Sequence, residues 1–134
     1  ADGVGSNASI DFVQSGIEKT VSQVPSAKVI NAIPFYTRLW TTNGEIGQVA
    51  YGMNEIENFL NANGATTVWD DAACQYKAQF SVDGTNYEVW LEESESIAVK
   101  LNIMSQYDLA GIAGWRLGQE KADIWNEISA YLQQ

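Results

Sequence analysis

Two short, almost wholly apolar segments constrain this chain more than any other feature of its sequence. The first is Lys28–Tyr36, with the sequence KVINAIPFY, and the second is Leu109–Trp115, with the sequence LAGIAGW. Apolar side chains at nearly consecutive positions over so short a stretch are typical of a strand buried on both faces, as in parallel sheets. The sequence therefore predicts two parallel strands in an α/β architecture.

Amphipathic helices are predicted on either side of both strands. Apolar residues recur at helical spacing after Ser9, which can act as an N-cap, and the pattern ends before Pro25. Ser94 is the predicted N-cap of a second helix with the same spacing. A last helix is predicted over Lys121–Leu132, where Trp125 lies on the apolar stripe and is expected in the core. Outside the central segment, the predicted order is helix, strand, helix, strand, helix.

Residues from about 41 to 92 have a different character. Thr41–Gly52 is polar and glycine-rich, with a turn signal at Asn43-Gly44, and no helix or strand is predicted in it. A short helix and three strands are predicted after it, the last two joined by an Asp-Gly hairpin turn: Met53–Ala62, Ala65–Trp69, Gln75–Val82 and Thr85–Leu91. We therefore divide the chain into an α/β part, residues 1–40 and 93–134, and an α+β insert, residues 41–92.

Charge and composition exclude several classes of function. The formal net charge is −10, which would repel nucleic-acid phosphates and an anionic bilayer, so we expect no nucleic-acid or membrane partner. A neutral ligand such as a sugar is compatible with this charge. The chain has no histidine and one cysteine, which excludes histidine-dependent triads, an intrachain disulfide and zinc sites built from these residues.

Two parallel strands by themselves leave an open question about the rest of the sheet. Such a sheet has two unpaired edges, and parallel sheets normally need cover on both faces. The sequence also begins without a methionine and without a signal peptide. We therefore expect that the chain is part of a longer protein, or that a second copy completes the sheet as a homo-oligomer or by strand swapping.

Three segments of this sequence resemble a known family: IPFYTRLW at residues 33–40, residues 88–101, and LAGIAGWRLGQE at residues 109–120. In order and spacing they resemble the C-terminal half of a catalytic domain of glycoside hydrolase family 18, the chitinase-like family. The form FYTRLW is most similar to the bacterial branch that includes spore-germination and cortex-lytic N-acetylglucosaminidases. The resemblance implies the last two strands and flanking helices of a (β/α)₈ TIM barrel, with residues 41–92 as the chitinase-type insertion domain.

The resemblance also implies a reaction. Members of the family hydrolyse β-1,4-linked N-acetylglucosamine polymers, in chitin or peptidoglycan, by a substrate-assisted mechanism that needs no cofactor or metal. Their signature Asp-x-x-Asp-x-Asp-x-Glu, whose Glu is the general acid, does not occur in these 134 residues. We expect this Glu upstream of Ala1 in a parent enzyme, and we expect the chain alone to be inactive.

Four residues are candidates for contact with the sugar. Trp115, at the end of the second apolar strand, matches the tryptophan that forms the floor of the family's cleavage site, and an indole face can stack on a pyranose ring. Tyr36 and Arg38, two apart after the first apolar strand, point to the same side and match groove-lining positions. A core position for Trp115 and a salt bridge for Arg38 are the alternatives. For Trp40, packing between barrel and insert is equally compatible.

Other conspicuous residues are given structural roles. The acidic pairs Asp70-Asp71 and Glu92-Glu93 could suggest a two-carboxylate glycosidase, but paired acidic residues at strand ends are usually solvated, and we expect that here. The remaining tryptophans of the insert are expected in its core, with a remote sugar subsite as the alternative: Trp69 and Trp90.

Two functions from different classes remain open. The first is the hydrolase described above, whose parent protein would be secreted or associated with the cell wall or spore of a bacterium. The second is a non-catalytic carbohydrate-binding or self-associating scaffold module.

Overall fold

The computed structural model describes residues 3–134 and contains α-helices and strands in mixed order. A 3₁₀ turn at Ser26–Lys28 precedes the first strand. The elements are, in chain order, α1 (Ile10–Val21), β1 (Ile30–Pro34), β2 (Tyr36–Thr41), β3 (Gly47–Gly52), α2 (Met53–Ala62), β4 (Val68–Asp70), β5 (Gln75–Val82), β6 (Thr85–Trp90), α3 (Ser94–Gln106), β7 (Gly111–Trp115) and α4 (Ile124–Leu132).

The strands form two separate sheets. β1 and β7 pair in parallel, as predicted, with Pro34 opposite Trp115 at their C-terminal ends. The other five strands form an antiparallel sheet in the order β3-β2-β6-β5-β4. Phe35 alone separates β1 from β2, so the C-terminal edge of the parallel sheet lies directly beside the first strand of the antiparallel sheet.

The predicted insert hairpin is confirmed. β5 and β6 pair from Lys77 opposite Trp90 to Val82 opposite Thr85, around the Asp83-Gly84 turn. Both turn residues have positive φ, 48° for Asp83 and 82° for Gly84, which is the conformation that such two-residue turns require. The helix α2 has the predicted bounds, whereas β4 is only three residues long and begins at Val68 rather than Ala65.

The strands β2 and β3 were not predicted. Residues 48–50 of β3 are all exposed because β3 is an edge strand, so its sequence shows no alternation of apolar and polar residues. β2 also places Tyr36–Trp40 in the five-stranded sheet, which therefore begins before the predicted boundary at residue 41. The division into two domains itself stays a prediction.

Local interactions set the helix ends. The Ser9 hydroxyl accepts from the Phe12 N–H at 3.4 Å, as expected for an N-cap of α1. For α3 the predicted cap was wrong: Glu93, not Ser94, accepts from Ser96 N–H at 2.8 Å. A carboxylate at this position also interacts favourably with the helix dipole. The helix α4 begins at Ile124 rather than Lys121.

Each sheet has its own hydrophobic core. One face of the five-stranded sheet packs on α2, with a buried set consisting of Leu39, Ile56, Leu60, Ala78 and Val89. The parallel pair packs with α1, α3 and α4 around a second set that includes Val13, Ile17, Ile33, Phe35, Ile97, Leu101, Met104, Ile124 and Ile128. The opposite face of the five-stranded sheet is not covered by α2, and it carries three of the four predicted sugar-contact residues.

Candidate functional site

Trp115 lies exposed at the C-terminal edge of the parallel sheet. Its side chain is 67% exposed, so within residues 3–134 it is not a core residue. The Phe35 N–H donates to the Trp115 carbonyl oxygen at 2.6 Å, which extends the pairing of the two strands to their C-terminal ends. In parallel α/β sheets this edge is where ligands bind, and the exposed indole offers a flat apolar surface there.

Gly114 allows the Phe35 ring to pack against the end of β7. A Cβ atom at position 114 would overlap the Phe35 ring, which is buried. Trp125 contacts the same ring edge-on, with 6.0 Å between centroids, but its own side chain is 40% exposed. The expectation that Trp125 belongs to the core was therefore wrong, because the residue remains partly open to solvent beside Phe35.

Tyr36 and Arg38 project from the same side of β2, as their spacing predicts. The Arg38 guanidinium lies 5.8 Å from the centroid of the Tyr36 ring, within the range of a cation–π contact. Its Nη1 donates to Gln48 Oε1 of the neighbouring strand β3 at 2.5 Å. Among the described residues Arg38 forms no salt bridge, so the alternative role suggested by the sequence is not observed there.

The predicted residues border two adjoining depressions. One, of about 290 Å³, is bordered by Trp115 and Tyr36 together with β1 and α1. The other, of about 430 Å³, is bordered by Tyr36, Arg38 and Trp40 together with Gln48 and the segment before α1. Tyr36 borders both, so the structure brings all four predicted residues to one continuous surface.

Trp40 differs from the other three because it is buried. Only 6% of the residue is exposed, and its indole Nε1 donates to the Gly5 carbonyl oxygen at 2.8 Å. This contact attaches the segment before α1 to the five-stranded sheet. The burial favours packing over sugar contact, which were the two roles left open for this residue.

Sequence reasoning missed several residues that border the same surface. Asn7 and Phe12 border both depressions, and Gln48 holds Arg38. Phe12 is 68% exposed and lies off the apolar stripe that runs through Val13 and Ile17. An aromatic residue on the polar face of an amphipathic helix is the signal that could have identified it. For Asn7 and Gln48 the sequence carries no comparable signal.

Glu92 was expected at the surface, and this was wrong. Its carboxylate is almost completely buried, and both oxygens accept from Lys100 Nζ, at 2.7 and 2.9 Å. Gln75 Nε2 and Ser96 Oγ each donate to it at 2.8 Å. Burial raises the pKa of Glu92, while the attraction of the Lys100 ammonium acts in the opposite direction. The fully hydrogen-bonded set connects β5, β6 and α3 and has a structural role.

Asp70 and Glu93, from the two acidic pairs, also contact structural partners. Asp70 Oδ2 accepts from the indole Nε1 of Trp90 at 2.9 Å, and this hydrogen bond lowers the pKa of Asp70. Glu93 caps α3, as described above. The carboxylates of Asp70 and Glu93 therefore each have a local partner that accounts for their positions.

The groups that line the two depressions can recognise a polar ligand. The described lining contains aromatic rings, amides, hydroxyl groups and one guanidinium, but no carboxylate. Residues 3–134 also contain no cluster of histidine, cysteine, aspartate and glutamate that could hold a metal ion, and none of their helices is long and apolar enough to cross a membrane.

Comparison with known proteins identifies the family. The sequence model of "Glycosyl hydrolases family 18" matches residues 3–120. The chain belongs to glycoside hydrolase family 18. Its mixed α/β structure superimposes on a chitinase from Chromobacterium violaceum with a TM-score of 0.85 and 26% identity, covering 98% of this chain and 41% of that one.

Bacterial spore proteins are among the relatives. The spore cortex-lytic enzyme SleL of Bacillus megaterium aligns with a TM-score of 0.81 and 25% identity, over 90% of this chain and 29% of that one. The cortical fragment-lytic enzyme of Bacillus subtilis is 26% identical over 121 residues, which are 87% of this chain and 28% of that protein. The 134 residues span only 28–36% of the length of the first curated relatives they match.

Proposed function

We propose that this chain supplies part of the sugar-binding groove of a family 18 glycoside hydrolase acting on β-1,4-linked N-acetylglucosamine polymers, in chitin or peptidoglycan. Trp115 would stack on a pyranose ring, and Tyr36 and Arg38 would line the groove beside it. Trp40 would fix the wall behind them. The parent enzyme would act at the cell wall or spore of a bacterium, as the names of the relatives suggest.

The exposure of Trp115 is the observation that carries this proposal. Its indole is largely open at the C-terminal edge of two parallel strands, and the depression beside it adjoins the one that contains Arg38. A flat aromatic surface next to a polar cavity matches the two sides of a pyranose, whose ring face is apolar and whose rim carries hydroxyl and acetamido groups.

We further propose that β1 and β7 are two strands of a (β/α)₈ barrel completed outside this chain, and that the general acid Glu lies in that other part. The absence of a carboxylate from the described lining of both depressions supports the proposal that the general acid lies outside this chain. The 134-residue chain alone would then bind an oligosaccharide weakly and hydrolyse nothing.

Sugar binding can be followed at the tryptophans themselves. The chain contains five tryptophans, so an amide NMR spectrum shows five indole N–H signals. On titration with chitotetraose, we expect the signal of Trp115 to shift and those of Trp69 and Trp90 to stay unchanged. Trp115→Ala should weaken binding about tenfold, which corresponds to ~1.4 kcal/mol. Unchanged affinity in this variant would contradict the proposal.

Hydrolysis tests the second part. We expect no release of reducing sugar from chitin or peptidoglycan by the 134-residue chain, and release by the longer polypeptide that carries it. Trp115→Ala in the longer protein should lower the rate, whereas Trp69→Ala should not. Hydrolysis by the short chain would show that the acid lies within it.

A self-associating scaffold is the second candidate, because the parallel sheet has exposed edges. In residues 3–134, β1 pairs only with β7 and β7 only with β1, and Ile30 on β1 is 63% exposed. Unpaired strands of this kind are templates for pairing with another chain. Sedimentation velocity distinguishes the two functions: a monomer at high concentration excludes assembly through these edges.

A further inference from the structure

Gln48 is one of the residues bordering the two depressions to which neither the family resemblance nor the proposed function gives a role. It lies on β3, opposite Trp40 in the strand register, and Arg38 on β2 is diagonal to it. Its side chain is exposed, and its single side-chain hydrogen bond within the described residues is the one from Arg38 Nη1 to its Oε1 at 2.5 Å. We propose that Gln48 is a positioning residue, which holds the Arg38 guanidinium in the orientation that binds the saccharide; this rests on the proposed function.

The geometry of arginine supports this role. A guanidinium is planar and carries five N–H donors in a rigid fork, and only the hydrogen bond to Gln48 is seen in the described residues. Tyr36 lies beside the same group, 5.8 Å from its ring centroid. These two contacts restrain the orientation of the guanidinium. Its other N–H donors are available to a ligand in the depression of about 430 Å³, which Arg38 borders.

The lack of charge on the Gln48 amide also supports a positioning role. A carboxylate would neutralise Arg38, but Gln48 supplies an oxygen acceptor without a charge. The chain carries a net charge of −10, and carboxylates are abundant in it, yet the described partner of Arg38 is neutral. A charged donor that is oriented but not neutralised is suited to an oxygen acceptor on a ligand. On an amino sugar, that acceptor is the acetamido carbonyl or the carboxylate of a lactyl substituent.

The gain in affinity comes from ordering the Arg38 side chain before the ligand binds. A free arginine loses rotamer entropy when a ligand immobilises it, and a pre-ordered one does not. We therefore expect Gln48→Ala to weaken chitotetraose binding about three- to tenfold. Gln79→Ala is the matched control, because Gln79 is an exposed glutamine in β5 of the same sheet and lies outside both depressions.

A double-mutant cycle tests whether Gln48 acts through Arg38. Gln48→Ala should have little further effect on affinity in an Arg38→Ala background, since the group it positions is gone. An equal loss in both backgrounds would overturn the proposal. Gln48→Glu keeps the oxygen acceptor and should keep Arg38 ordered, which separates positioning from charge.

The order of Arg38 can be measured without any sugar. ¹⁵N relaxation of its side-chain Nε should show a restrained group in the wild type and in Gln48→Glu, and a mobile one in Gln48→Ala. Equal mobility in all three would overturn the positioning role, whatever the protein binds. If Arg38 is ordered by Gln48 but chitotetraose causes no shift at Trp115 or Arg38, the proposed function fails and the positioning role for sugar binding fails with it.

Two monosaccharides distinguish the acceptors on the ligand. N-acetylglucosamine and N-acetylmuramic acid share the acetamido group, and only the second carries a carboxylate. Tighter, salt-sensitive binding of N-acetylmuramic acid, lost in Gln48→Ala, would assign the carboxylate. Equal, salt-insensitive binding of both, weakened by Gln48→Ala, would assign the acetamido carbonyl. Binding of both that is unchanged in Gln48→Ala would contradict the proposal.

Discussion

The buried pair Glu92–Lys100 allows a sharp test of how this chain is held together. Lys100→Met removes the ammonium and keeps a side chain of similar length. It leaves Glu92, which is 3% exposed, with two neutral donors and no counter-ion. Breaking a buried ion pair from one side costs about 3–5 kcal/mol, because the remaining charge is buried without compensation. That is a large fraction of the ~5–15 kcal/mol that stabilises an ordinary domain.

Chemical denaturation measures this loss in the free energy of unfolding, and two further variants show what causes it. Lys121→Met breaks a pair in which the lysine and Glu57 side chains are 25% and 51% exposed, and it should cost at most about 1 kcal/mol. The double variant Glu92→Gln with Lys100→Met removes both charges and should recover much of the loss. Equal costs for Lys100→Met and Lys121→Met would refute the reasoning. So would a double variant that is no more stable than Lys100→Met.

The pH dependence of the stability of Lys100→Met tests the same reasoning independently. Burial already raises the pKa of Glu92 above its ordinary value, and removing Lys100 takes away the main opposing attraction. The folded variant then binds a proton more tightly than the unfolded chain. Its stability relative to the wild type should therefore rise as the pH falls through the folded pKa of Glu92 in the variant, and level off below the lower folded pKa of Glu92 in the wild type. A constant difference between the two proteins from neutral to acidic pH would contradict this.

Two further substitutions test contacts at the sheets. Gly114→Ala should destabilise the chain by about 1–3 kcal/mol or more, because the added Cβ overlaps the Phe35 ring. Gly111→Ala on the same strand is the control, because the added Cβ meets nothing within 4 Å, and its urea midpoint should stay near that of the wild type. Equal midpoints for Gly114→Ala and Gly111→Ala would contradict the proposed overlap with Phe35. Trp90→Phe removes the indole donor, so the pKa of Asp70 should rise toward its ordinary value in a ¹³C carboxyl titration, and an unchanged pKa would show that another contact lowers it.

The parts of the fold predicted correctly are those encoded by local patterns. The Asp83-Gly84 turn specifies its hairpin because the required backbone conformation is set by two adjacent residues. The strand β3 was missed because an edge strand leaves residues 48–50 exposed, and no alternation results. Glu92 was misplaced for a related reason. A glutamate next to another glutamate has a surface pattern, and only the distant Lys100 and Gln75 make its burial possible.

The residues of the candidate site also differ in whether the sequence could suggest them. Tyr36 and Trp115 end the two predicted strands and Arg38 follows Tyr36 at a spacing of two, but their selection as sugar-contact residues depends on the family resemblance. The sequence could not suggest the segment before α1, because its place depends on contacts across long stretches of sequence. Gly5 accepts from the indole of Trp40, and Ser6 donates to the amide oxygen of Gln75.

The contact between Ser6 and Gln75 also connects the segment before α1 to the buried polar set around Glu92. Gln75 uses its amide nitrogen to donate to Glu92 and its amide oxygen to accept from Ser6, so one side chain joins the ion pair to the segment that carries Asn7. Buried polar sets of this kind fix geometry because every member must keep its partner. The segment before α1 is therefore anchored in part by Gln75, which lies outside the described lining of both depressions. A groove-lining loop rich in small polar residues can be well ordered when such a set anchors it to the sheet.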